Sequence, residues 1–171
     1  MGERRTATHE THLTVRLLGP HEVTWRIANG ELEVMMPGAV INVTDRKALS
    51  GVYGAWVEAG VIALNVFTGD RRAVRQYVSR VPQRILGVVK ISGRQPHPTI
   101  AGKAPEISPS GCGQLVIRLG HLTIVCDDRT AWESQDAGWR AACESAAEAW
   151  GGPQLTLAAF RGEQRAKRRY E

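Results

Sequence analysis

The residues best suited to chemistry in this chain are arginines, and they are clustered. Between Asp70 and Arg84 lie Arg71, Arg72, Arg75, Arg80 and Arg84 with a single aspartate, a local charge of +4. From Arg161 to Glu171, five basic residues, among them Arg165, Lys167, Arg168 and Arg169, outweigh two acidic ones and leave +3. The whole chain carries +5, so everything outside these segments carries −2. Cationic side chains concentrated in this way can neutralise the phosphates of a nucleic acid. The alternative for each segment is a solvated helix face and a soluble tail.

A second candidate is the dipeptide Asp45-Arg46, which recurs as Asp128-Arg129. Each stands between a strand-like run and a helix-like run. One reading is a turn aspartate followed by an arginine paired to a neighbouring carboxylate. The other is a pair of equivalent arginines, Arg46 and Arg129, facing a ligand or a partner's acid.

Other chemistries find little support. His9-Glu10-Thr11-His12 lacks the two-residue spacing of the zinc-protease helix, so no metal is expected. Cys112, Cys126 and Cys143 have no ligand-pair spacing, and Cys126 and Cys143 fall at apolar positions. An exposed Cys112 nucleophile would need His97 or His121 as its base. Phosphate loops, dinucleotide fingerprints and nucleophile elbows are absent. No cofactor is expected, and nothing argues for an enzyme.

Composition sets the class. The 171 residues are 43% hydrophobic, enough for one shared core. The stretch from Trp56 to Phe67 contains Glu58 and Asn65 and is too short to span a bilayer. The first twelve residues are polar and have no secretory core. Three cysteines suggest a reducing compartment, so a cytoplasmic location is expected. Eighteen arginines against four lysines point to a GC-rich bacterial genome.

The elements that must position these groups come in two sets. Displaced by 83 positions, Leu32–Gly69 lies on Leu115–Gly152 without a gap, and nine of 38 pairs are identical. Chance would supply roughly two or three. The identities include Asp45/Asp128, Arg46/Arg129 and Trp56/Trp139. Each copy alternates apolar and polar residues in two short runs: Leu32–Met36 and Ala39–Val43, then Leu115–Leu119 and Leu122–Cys126. A helix follows, with Ser50 or Ser134 as its expected N-cap. Val52, Trp56, Ala59, Ala63 and Phe67 share one helical face, as do Trp139, Ala142, Ala146 and Trp150.

The first copy adds strands at Leu13–Leu17 and Val23–Ile27, with Asn29-Gly30 as a hairpin turn. This predicts a four-stranded meander with Trp25 pointing inward. The second copy opens with a strand at Ile85–Ile91. Ser92–Gly113 then reads as a long loop with four prolines and four glycines. A second, basic helix is expected over Asp70–Arg80, with a possible echo from Leu155 onward.

The expected fold is therefore α+β: one globular unit made of two repeats, about 11–80 and 85–165, with antiparallel sheet, helices on one face and approximate two-fold symmetry. The outward strand positions, Thr14, Arg16, Thr24, Arg26, Glu31, Glu33, Asn42, Arg118 and Thr123, offer no aromatic platform for bases. The expected function is non-enzymatic binding of nucleic-acid backbone. The plan resembles two-repeat single-strand-binding folds, from which the missing sheet aromatics set it apart. The arginine-rich composition resembles accessory factors of bacterial mobile elements such as plasmids. Two other functions are open: a protein-interaction adaptor using the exposed sheet or the 92–113 loop, and a small-ligand protein or enzyme with a site between the repeats.

Overall fold

The computed structural model describes residues 12–67, 84–94, 98–103 and 113–156. Two four-stranded sheets and two long helices make up these residues. The first sheet contains β2 (Thr24–Ala28), β3 (Glu31–Met36), β4 (Ala39–Val43) and β5 (Gly87–Ile91), in that order. The second contains β1 (Leu13–Leu17), β8 (Leu122–Cys126), β7 (Gln114–Leu119) and β6 (Thr99–Lys103), in that order. The class is α+β, with mixed sheets in place of the expected antiparallel one.

The mixing comes from β1 and β5. β1 does not turn back on β2 as a meander requires. It crosses to the second sheet and pairs in parallel with β8, Val15 opposite Ile124. β5 does the same in the first sheet, pairing in parallel with β4, Val89 opposite Ile41. The remaining pairings are hairpins and the antiparallel β6–β7 pair. Asn29 and Gly30, with φ of 54° and 76°, close the β2–β3 hairpin in the left-handed region that such a two-residue turn needs.

The expected 22-residue loop contains strand β6. Its sequence, TIAGK, has one large apolar residue and so carries almost no strand signal. The structure shows the reason. A Cβ at Gly102 would run into Val66 and Ile62 of the helix above it. Close approach by that helix, not strand propensity, explains the glycine.

The helices are α1 (Arg46–Val66) and α2 (Arg129–Ala149). Both begin earlier than expected. Asp45 and Asp128 are the N-caps, not Ser50 and Ser134. Asp45 accepts from the backbone N–H of Lys47 and Ala48, and Asp128 from that of Ala131, satisfying first-turn donors that have no partner within the helix. Ser134 instead donates to Thr130 O, one turn back.

α1 packs on α2, β6 and β7, while α2 packs chiefly on α1, β2 and β3. The helix pair is antiparallel, its centre marked by tryptophans. Trp56 stacks on Trp132 and Trp139 with ring centroids 5.6 and 5.8 Å apart. Trp56 and Trp139 are fully buried, and truncating either to alanine should cost about 3–5 kcal/mol. The expected apolar helix faces are buried, Trp150 only in part. Trp25 shares the inward face with Val34, but on an edge strand it stays 36% exposed.

By length and composition α1 could cross a membrane, since it extends well before Trp56. More than half of its apolar window is packed inside this fold.

Candidate functional site

The two Asp-Arg pairs each stand at the start of a helix, with the aspartate as its N-cap. The second carboxylate oxygen of Asp45 accepts from Gly93 N at 2.6 Å, just past β5. That of Asp128 accepts from Gly19 N at 2.8 Å, just past β1. Each cap thus ties its helix to the parallel strand of its sheet. The backbone donor of Gly93, then that of Ala48, holds the Asp45 carboxyl below its ordinary range.

The arginines beside these caps are not neighbours. Arg46 lies against Gly152 and donates to Pro153 O at 3.0 Å, past the C-terminal end of α2. Arg129 pairs with Glu133 at 2.7 Å, beside Gly60, Ala63 and Phe67 near the end of α1. They sit at opposite ends of a helix pair about 30 Å long, so one small ligand cannot touch both. A half-open cavity of about 250 Å³ adjoins Arg129, Glu133, Trp132 and Leu64, and Arg46 does not line it.

Beside Asp128 runs a partly buried polar chain that sequence reasoning missed. His21 Nδ1 lies 3.1 Å from Gly19 O, and its Nε2 lies 2.7 Å from the amide nitrogen of Gln135. Gln135 Oε1 accepts from the Trp139 indole at 2.9 Å, and Ser134 Oγ accepts from His21 N at 3.2 Å. Indole is a donor only, so it fixes the orientation of the Gln135 amide. His21 must then accept at Nε2 and donate from Nδ1, which is the neutral form. The available signal was a glutamine one turn before a tryptophan on an apolar helix face.

The outward positions named from sequence do face outward, but on two different sheets. Arg26, Glu31, Glu33 and Asn42 lie on the first, with Lys90. Its charges cancel, Arg26 pairing with Glu33 and Lys90 with Glu31. Thr14, Arg16, Arg118 and Thr123 lie on the second, with Lys103. Asp127 is the one carboxylate beside that face among the described residues. It is engaged by both Nε and Nη2 of Arg16 and by Gln114.

Of the basic segments, Arg84 is described; it is exposed and lies three residues before β5. Arg71, Arg72, Arg75, Arg80, Arg165, Lys167, Arg168 and Arg169 lie outside the described residues, as do the helices expected there. The described chain stops at Phe67 and at Thr156, just beyond the C-terminal ends of α1 and α2.

Cys126 and Cys143 are buried free thiols, and burial pushes both far above the ordinary thiol range. Cys112 and His97 lie outside the described residues, as does the His9–Thr11 segment. No group of three or more His, Cys, Asp or Glu residues that could hold a metal occurs among the described residues.

Compared with protein-family models, curated proteins and solved structures, the chain matches none.

Proposed function

We propose that this protein is a non-enzymatic binder of nucleic-acid backbone. The observation that carries the reading is segregation of charge. Two short segments hold most of the positive charge of the sequence. In the fold, the strand carboxylates among the described residues, Glu31 and Glu33, lie on the outer face of the first sheet, where lysine and arginine neutralise them. Among the described residues, the outer face of the second sheet keeps Arg16, Lys103 and Arg118 against one carboxylate, Asp127. Among the described residues no phenylalanine, tyrosine or tryptophan lies on either outer face, so contacts to phosphate outweigh stacking and sequence selectivity is weak.

The two halves are read as copies of one unit of four strands and a helix, exchanging their first strands about an approximate two-fold axis. The matched caps at Asp45 and Asp128 and the matched parallel pairings support this. Under that symmetry the two basic segments follow equivalent helix ends. A bacterial cytoplasm, on a mobile element such as a plasmid, is the setting the composition favours.

The test is fluorescence anisotropy with a short duplex and a single strand at two ionic strengths. Affinity falls steeply with salt if phosphates are the target. Replacing Arg71, Arg72 and Arg75 with alanine weakens binding without unfolding. Absence of binding at low salt removes the reading.

A second reading rests on a separate observation. Ile85, Leu86 and Val88 are 61%, 71% and 65% exposed at edge strand β5. Such an edge suits a protein partner that adds a strand. Leu86→Lys with Val88→Lys would then abolish partner capture and leave the fold intact; an unchanged set of captured partners counts against it.

A further inference from the structure

We infer that a phosphate-contacting site lies on the outer face of the second sheet, centred on Arg118. This rests on the nucleic-acid reading and says which surface of the folded body makes the contact. Thr14, Thr123, Arg118 and Thr99 face one another in register on four successive strands, β1, β8, β7 and β6. Residues directly opposite across a sheet share a face. The row spans about 14 Å, three inter-strand spacings. Thr14, Arg118 and Thr99 are exposed and Thr123 is half-buried.

Two histidines flank the β1–β8 half of this row. His12 immediately precedes β1, and His121 sits in the β7–β8 turn. Their rings lie 5.1 Å apart, and Leu13 N donates to His121 O at 2.9 Å, holding the two backbones together. Arg118 Nη2 lies 3.4 Å from His12 Nε2. A guanidinium and two imidazoles therefore converge beside three hydroxyls. Among the described residues no carboxylate pairs with Arg118, whereas Arg16 in the next row is held by Asp127. Arg26, on edge strand β2 of the first sheet, is held by Glu33.

Convergent N–H and O–H donors with no acid among them suit an anion with several acceptor oxygens. A phosphodiester fits better than a carboxylate peptide for two reasons. The row extends across the whole sheet, so successive phosphates of one strand can follow it. Its donors are also mostly neutral hydroxyls, which orient a phosphate without a second charge. Among the described residues, base edges would find neither an aromatic platform nor a groove-filling helix on this face.

The experiment uses the full chain and a fluorescein-labelled single strand and duplex across a salt series. Arg118→Ala should weaken binding about tenfold at low salt and lower the salt slope by about one. Arg118→Lys should recover most of the affinity. Arg26→Ala, on the other sheet, should bind as wild type. Circular dichroism and thermal melting check that each variant is folded, and His121→Ala provides a second variant, in the β7–β8 turn. Wild-type affinity in both Arg118→Ala and His121→Ala overturns the site but leaves the binding function standing. A wild-type chain that fails to bind at low salt, or that binds anionic vesicles in preference to either nucleic acid, overturns both.

Discussion

The amide nitrogen of Gln135 points at Nε2 of His21 across 2.7 Å, in the seam between α2 and the chain leaving β1. The contact requires a neutral imidazole. Burial lowers the affinity of His21 for a proton below its ordinary value of 6.5, outweighing the Gly19 carbonyl and Asp128. The unfolded chain takes up that proton from about pH 6.5 downward, while the folded chain resists. Stability from this group is complete above that pH and is lost as pH falls toward the lower folded value. Thermal melts of wild type and His21→Phe at pH 7.5 and pH 5 test this. Wild type should lose more stability between the two pH values than the variant. Equal losses would show that His21 is not the responsible group.

Trp139 and Trp56 provide an internal comparison. Both are fully buried. The indole N–H of Trp139 is bonded to Gln135, whereas that of Trp56 is buried without a partner. Position 52, which aligns with Gln135, is a valine. Replacement by phenylalanine removes similar volume at either site. Trp139→Phe should therefore cost more than Trp56→Phe, by about 1 kcal/mol. Chemical denaturation measures the difference. If Trp56→Phe proves the costlier, ring packing and not the hydrogen bond controls the pair.

Asp45 caps α1 and also holds Gly93 at the end of β5. Asp45→Ala should destabilise the fold by about 1 kcal/mol, and Asp45→Asn by less, because an amide oxygen still caps. The folded-state carboxyl titrates below its ordinary value. Its contribution is thus present above about pH 4 and lost as pH falls through the lower folded value. Melting curves from pH 6 to pH 2.5 should converge for wild type and Asp45→Ala at the acid end. A gap that stays constant refutes the electrostatic part of the argument.

The parallel pairing of β1 with β8 and of β5 with β4 predicts how a cleaved chain behaves. β1 completes the second sheet and β5 the first. A fragment of residues 1–75 lacks β5, and a fragment of residues 76–171 lacks β1. Neither should unfold cooperatively alone, and mixing them should restore one cooperative transition and a 1:1 complex. Size-exclusion chromatography with circular dichroism detects this. Two fragments that each melt cooperatively in isolation would contradict that prediction.

Much of this was legible in the residues. Alternation placed β3, β4, β7 and β8, and helical periodicity placed the buried faces of α1 and α2, because those signals are local. The alternating positions also separated outward from inward side chains. Partnership between distant strands was not legible. Leu13–Leu17 has the same pattern whether it pairs with its neighbour or with β8, and Gly19-Pro20 resembles a hairpin turn in either case. β6 was hidden because Gly102 is required by Val66 and Ile62 above it, not by the strand. The helix starts were displaced because Ser50 and Asp45 are both good capping residues, and the bond from Gly93 that favours Asp45 is non-local. The candidate face followed the same logic: Arg118 and Thr14 were visible as outward residues, but their register with His12 nearby was not.

The parallel pairing of β1 with β8 also bears on synthesis. Leu13 leaves the ribosome more than a hundred residues before its partner Leu122. At ordinary translation rates, β1 waits on the order of ten seconds for the strand it belongs beside. Its apolar residues, Leu13, Val15 and Leu17, are without their final sheet throughout that interval. The first sheet can close as soon as β5 emerges. The nascent chain therefore carries a paired first sheet whose β2 and β3 still await α2, and an unmatched leading strand, and it is during manufacture that this protein is most open to mispairing with another copy of itself.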